Sequence, residues 1–161
     1  MKYVIDTNAL RTFFRFYFRE TTPDLYKSFD KMIENNELIS VKEVYNEMER
    51  QHQKDSEVLK ELKNIKHIFL EPTNEEEIDI VQEIYKNINF QNNIKEKNIL
   101  EGKPVADALL VAKAKTENAI LITSENFSPN AAKVPNMCAK YGIKYIDYKQ
   151  FLIVLKGYCK I

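Results

Sequence analysis

Apolar residues fall in short β-branched or aromatic runs separated by longer stretches of helical period, and this alternation predicts the elements. Tyr3, Val4 and Ile5 form the first run, a buried strand that ends directly on Asp6-Thr7-Asn8. Leu10, Phe13, Phe14 and Tyr17 recur at helical spacing, which predicts an amphipathic helix from Ala9 to about Arg19. Thr22-Pro23 starts a second helix, with Leu25, Phe29, Met32 and Ile33 as its buried stripe, and Asn35-Asn36 breaks it. Leu38 to Val41 is the second strand. It runs straight into a helix whose inner face carries Val41, Val44, Tyr45 and Met48. Val58, Leu59 and Leu62 continue a helical pattern, and Ile68 to Leu70 make a third strand closed by Glu71-Pro72.

Val81, Ile84, Tyr85 and Ile88 mark the next amphipathic helix. From Asn89 to Lys103 the sequence turns polar and Asn-rich without a sustained period, as a mobile insertion does. Gly102-Lys103-Pro104 opens a helix whose residues Val105, Ala106, Ala108 to Ala112 and Ala114 are apolar almost all round, so it is expected to be buried on most sides. Ala119 to Ile122 is a strand ending in Thr123-Ser124-Glu125-Asn126, and Phe127 to Pro135 reads as a loop. A short helix around Met137 to Tyr141 stops at Gly142, Ile143 to Ile146 is the last strand, and Phe151 to Leu155 lies in a closing helix. Strands alternating with helices in this way predict an α/β fold: a three-layer α/β/α sandwich around a central, mostly parallel five-stranded sheet. The length of 161 residues suits one core, so the whole of 1–161 is expected to be a single domain.

Composition narrows the chemistry. Lys plus Arg number 24 and Asp plus Glu number 24, so there is no global basic field to hold a polyanion, and a nucleic-acid substrate would need a local patch and bound metal. With only 3 glycines, a P-loop or a dinucleotide fingerprint is excluded. Cys138 and Cys159 form no CxxC pair, which points to a reducing, cytoplasmic setting. The N-terminus lacks a signal-peptide layout, and no apolar run approaches the ~20 residues that span a bilayer, so no membrane association is expected.

Against this background the acids stand out. Asp6 sits at the C-terminal end of a buried strand, where open α/β sheets place their chemistry, although Asp there also simply caps the following helix. Glu43 and Glu47 are neighbours on the helix after the second strand. Asp107 is the one acid inside the apolar helix; it either complements the helix dipole or suffers desolvation until a cation meets it. Glu125 repeats the strand-end placement of Asp6. If Asp6, Glu47, Asp107 and Glu125 share one rim, the cluster requires bound cations, and oxygen-only ligands select Mg²⁺ or Mn²⁺, one or two ions that activate water and stabilise charge on a phosphate. His52 and His67 are isolated and read as surface or core residues. On the first helix Arg11, Arg15 and Arg19 repeat every turn with Phe18 among them and Phe16 alongside. This is either a solvated face or a surface for phosphates, bases or a partner protein.

A strand ending in Asp-Thr-Asn, a glutamate on the helix after strand two, Pro-Val-Ala-Asp-Ala-Leu-Leu-Val-Ala-Lys-Ala and Leu-Ile-Thr-Ser-Glu together resemble the PIN domain, small metal-dependent ribonucleases that include VapC-type toxins. Lys133-Val134-Pro135-Asn136-Met137-Cys138 with Tyr141-Gly142-Ile143 is similar to a PIN-like branch classed as a domain of unknown function. The resemblance implies hydrolysis of RNA phosphodiesters to 5′-phosphate and 3′-hydroxyl ends. It carries over Asp6, Glu47 and Asp107 as core acids, with Asn8 and Thr123 as supporting positions. The fourth acid of the family is usually Asp and is Glu125 here, which weakens the case for a second ion. Expected partners are an RNA substrate, a small antitoxin protein docking on the Arg and Phe helix, and a second copy of the chain. Two rivals remain: a non-catalytic scaffold binding RNA or protein through Arg11, Arg15 and Arg19, and a phosphohydrolase with Asp6 as nucleophile, which usually wants an acid where Asn8 stands.

Overall fold

The computed structural model describes residues 1–91 and 106–158. The elements run β1 (Tyr3–Ile5), α1 (Thr7–Phe16), α2 (Pro23–Glu34), β2 (Leu38–Val41), α3 (Lys42–Gln51), α4 (Glu57–Asn64), β3 (Phe69–Leu70) and α5 (Glu75–Lys86). They continue with α6 (Ala106–Thr116), β4 (Ile120–Ile122), α7 (Val134–Tyr141), β5 (Tyr145–Ile146) and α8 (Tyr148–Tyr158). The strands form one parallel sheet in the order β3-β2-β1-β4-β5. All three residues of β1 and all four of β2 are buried, as expected of parallel strands covered on both faces.

This strand order dictates the layers. The chain moves outward from β1 through β2 to β3, then returns past β1 to β4 and β5. With right-handed crossovers, the first set of helices covers one face and the second set covers the other. Accordingly α6 lies across β2, β1 and β4 and packs against α5 and α7. On the opposite side α2 packs on β2 and α8, while α1 meets α3 and α4. An aromatic cluster knits that side together: Phe13 stacks on Phe29 with ring centroids 4.7 Å apart and meets Tyr26 and Phe151. Among the described residues no helix is long and apolar enough to cross a membrane.

Several boundaries differ from the sequence expectation, each for a physical reason. Helix α1 starts two residues early because Asp6 caps it, and it ends at Phe16 rather than near Arg19. Arg19 leaves the predicted stripe. Its guanidinium bridges Asp30 (2.6 and 3.0 Å) and Glu61 (2.8 and 2.9 Å) over the Tyr26 ring, clamping the turn after α1 to α2 and α4. The third strand is shortened to Phe69–Leu70 by a 3₁₀ turn at Lys66–Ile68, and the last to Tyr145–Ile146. Helix α7 begins at Val134, inside the predicted loop. Gly142 ends it as expected, with φ +66°. The polar stretch 92–103, the Gly102-Lys103-Pro104 helix opening, Val105 and Cys159 lie outside the described residues.

The largest departure is on α5. Its buried face is Glu77, Ile80 and Ile84, whereas, of the predicted stripe, Tyr85 is only partly covered and Ile88 is exposed. Glu77 is drawn in by Lys113 of α6: both side chains are at most 2% exposed, and Nζ lies 2.8 Å from Glu77 Oε1. Lys113 also donates to the Glu71 carbonyl, and Thr73 and Thr116 donate to Glu77. Such a pair is stable only because its hydrogen bonds are completed. Lys113→Met is therefore expected to destabilise the fold by about 3–5 kcal/mol in urea unfolding, because it strands a buried carboxylate, and Glu77→Leu added to it should recover most of the loss.

Candidate active site

The sheet reverses its direction of growth between β1 and β4, and the crevice outside the carboxyl ends of those two strands is where open α/β sheets bind ligands. Asp6 follows β1 at this point and is 4% exposed. Its Oδ1 accepts the Thr7 amide (2.7 Å) and its Oδ2 accepts the hydroxyl of Thr123 (2.9 Å), the residue that follows β4. One oxygen thus caps α1, as the capping reading expects, and the other accepts from across the switch point. Asn8 adds a second tie over the same gap, its Oδ1 accepting the Ser124 amide at 2.8 Å.

Thr7 extends the network to the next element. Its hydroxyl donates to Glu47 Oε2 at 2.5 Å, which brings α3 to the strand end of β1. Of the two competing glutamates, Glu47 is thus the one joined to Asp6, through a single residue. Glu43 lies one turn earlier and accepts a hydrogen bond from Asn46 at 3.3 Å. Asp107 is 4% exposed in the first described turn of α6, the helix that crosses β1, β2 and β4. Tyr85 registers both groups: its phenol is pushed up by burial and, in smaller measure, by the charges of Glu43 and then Asp107. Lys113, the buried cation of α6, is engaged by Glu77.

Glu125 stands just after β4, as its sequence placement suggested, and one of its oxygens is engaged by a neighbouring helix. Its Oε2 accepts the Val134 amide at 3.0 Å, at the start of α7, and its own amide donates to Thr123 Oγ1 at 3.2 Å. The longer side chain serves the first turn of that helix, the part that falls inside the predicted loop. Cys138, on the same helix, is buried beside Asp6, and its thiol is pushed up to about 12 by burial and then by the Asp6 charge, so it stays protonated and non-nucleophilic. Thr7, Ser124, Tyr85 and Cys138 were not singled out from the sequence. Thr7 alone had a visible signal, standing between Asp6 and Asn8.

The basic face predicted on α1 is reduced. Arg11 donates to Gln51 at 2.6 Å and Arg15 is exposed, with Phe16 and Phe18 exposed nearby, while Arg19 is held by Asp30 and Glu61. His52 Nδ1 is 2.8 Å from the Met48 carbonyl, and His67 lies on the surface. Among the described residues no group of three or more His, Cys, Asp and Glu is arranged to hold a metal ion. The oxygen-only donors at the switch point nevertheless fit Mg²⁺, which protein sites bind through one or two carboxylates plus waters and substrate phosphate rather than through a closed cage.

A chain of VapBC-1 from nontypeable Haemophilus influenzae has a similar fold, with a TM-score of 0.55 at 16% identity, covering 92% of this chain and 99% of that one. PAE2754 from Pyrobaculum aerophilum aligns at a TM-score of 0.48 and 19% identity, covering 98% and 96% respectively. No curated protein matches the sequence. Residues 3–156 match the family model described as "Domain of unknown function (DUF4411)". The chain accordingly belongs to the DUF4411 family, and its all-parallel five-stranded sheet between helical layers is a PIN-like sandwich.

Proposed function

We propose that this protein is a divalent-metal-dependent endoribonuclease, and that it acts as the toxin of a toxin–antitoxin pair. The observation that carries the reading is the Glu47–Thr7–Asp6–Thr123 chain of hydrogen bonds, which holds a buried carboxylate at the switch point of the sheet. Asp6 and Asp107 are the residues that would hold Mg²⁺ or Mn²⁺, with Glu47 reaching the same rim. When bound, the ion supplies a water nucleophile and neutralises charge on the phosphate during in-line displacement. Thr123 and the Thr7 amide hold the Asp6 carboxylate in one rotamer, and Asn8 keeps the exits of β1 and β4 at fixed separation. Glu125 supports α7 and contributes indirectly. The VapBC-1 likeness supports a partner of the antitoxin kind, and the exposed Arg15, Phe16 and Phe18 offer it a surface.

A second reading has its own observation. Because no group of three or more acids among the described residues is arranged to hold a metal ion, and Glu125 accepts from α7, a non-catalytic scaffold that binds RNA through Arg11 and Arg15 is the second reading. Chelation separates the two, since scaffold binding would be indifferent to EDTA.

Two outcomes are expected. Cleavage of RNA by the purified chain should require Mn²⁺ or Mg²⁺ and stop with EDTA; Asp6→Asn and Asp107→Asn should each lower it by more than about a hundredfold while circular dichroism stays unchanged. Cleavage retained in either variant removes that residue from the mechanism. Thr123→Val, which frees Asp6 Oδ2 from its orienting donor, is expected to weaken Mn²⁺ affinity, read by titration, by about 10- to 100-fold; unchanged affinity would assign Thr123 to the fold alone.

A further inference from the structure

Beside the switch point lies a cavity of about 270 Å³, bounded by the ends of β2 and β3 and by α3, α5 and α6. Val41, Leu70, Pro72 and Leu109 give it an apolar wall, and Lys42, Glu43, Asn46, Glu71, Glu77 and Lys113 complete the lining. Its charges are largely cancelled in place. The Lys113–Glu77 pair closes the buried end, and Lys42 and Glu71, 2.5 Å apart and well exposed, pair at the open side. What remains for a ligand is the polar edge of α3. There the half-buried Glu43 carboxylate has no cation within ion-pair distance among the described residues, and Asn46 stands next to it with Nδ2 3.3 Å from Glu43 Oε1.

An amide donor beside a carboxylate that accepts two N–H bonds selects a flat ligand whose edge reads acceptor, donor, donor. Guanine alone among the four RNA bases has that edge, in O6, N1–H and N2–H. Adenine would set its N1 lone pair against the carboxylate, uracil its O2, and cytosine its N3 and O2. Apolar walls with a few placed polar groups are also how splayed-out single-stranded bases are held. Glu43 is one helical turn, about 6 Å, from Glu47, so a base seated here keeps its phosphate near the Asp6 rim.

We propose that this cavity is a guanine-selective base pocket, read by Glu43 and Asn46, for a nucleotide next to the hydrolysed bond. The placement beside a scissile phosphate rests on the nuclease reading; the selectivity for guanine does not. The test is a titration of the full chain, without divalent metal, with guanosine, adenosine, cytidine and uridine 5′-monophosphates, followed by NMR shifts. The guanine nucleotide is expected to bind tighter than the others by on the order of tenfold, and Glu43→Gln and Asn46→Ala should each erode that preference. Equal binding of the four, no binding, or a guanine preference that survives Glu43→Gln overturns the pocket. Cleavage by the wild type then separates the two claims. Mn²⁺-dependent cutting without guanine preference in either assay sinks the pocket and leaves the nuclease, whereas guanine selectivity without any cutting sinks the nuclease and leaves a guanine-nucleotide site.

Discussion

A hydroxyl donated by Thr123 to Asp6 ties together the two strands between which the sheet changes direction, and the site is built on that tie. Burying a carboxylate is unfavourable by several kcal/mol, and hydrogen bonds to a charged group return about 1.5–3 kcal/mol each. Asp6 accepts such bonds on both oxygens, from its own helix start and from the neighbouring strand exit. A carboxylate held in that way keeps its position before any ligand arrives, which is the preorganisation that electrostatic catalysis needs.

The rest of the rim is placed by the same topology. Because α3 follows β2 without a loop, its Glu47 comes within reach of Thr7, which joins it to Asp6, while Glu43 and Asn46 line the cavity at the ends of β2 and β3. Because the return crossover runs over the opposite face, α6 crosses β2, β1 and β4 and brings Asp107 into the buried layer. Polar groups deep in this layer are matched locally: Lys113 meets Glu77, and Ser40 donates to the Ile5 carbonyl at 2.6 Å. The far face is held by the Phe13, Phe29 and Phe151 cluster, with Arg19 closing its edge.

Much of this was legible in the sequence wherever a residue's type and its burial agree. Tyr3-Val4-Ile5 and the mostly apolar Leu38 to Val41 are buried, and the parallel sheet follows from the alternation of strands and helices. Legibility failed where a charged side chain is buried with a distant partner. Glu77 and Lys113 are 36 residues apart, so neither reads as core, and the apolar pattern of α5 yields Ile84 of its inward face but not Glu77 or Ile80. Arg19 reads as one of the Arg11 and Arg15 stripe because its partners Asp30 and Glu61 lie on other helices. At the site, Asp6 and Asp107 were recognisable as acids in apolar surroundings, but the bridging role of Thr7 depends on α3 approaching β1, which no local pattern encodes. Glu125 resembled Asp6 in its strand-end placement, and only the early start of α7 turns it to a cap.

The central claim is that the switch-point carboxylate is a metal ligand. Anomalous diffraction from crystals equilibrated with Mn²⁺ tests it most directly. The account predicts a peak within about 2.0–2.3 Å of an Asp6 oxygen, with Asp107 as a second ligand and waters completing the shell. A crystal with strong Mn²⁺ peaks elsewhere and none at Asp6 would contradict it.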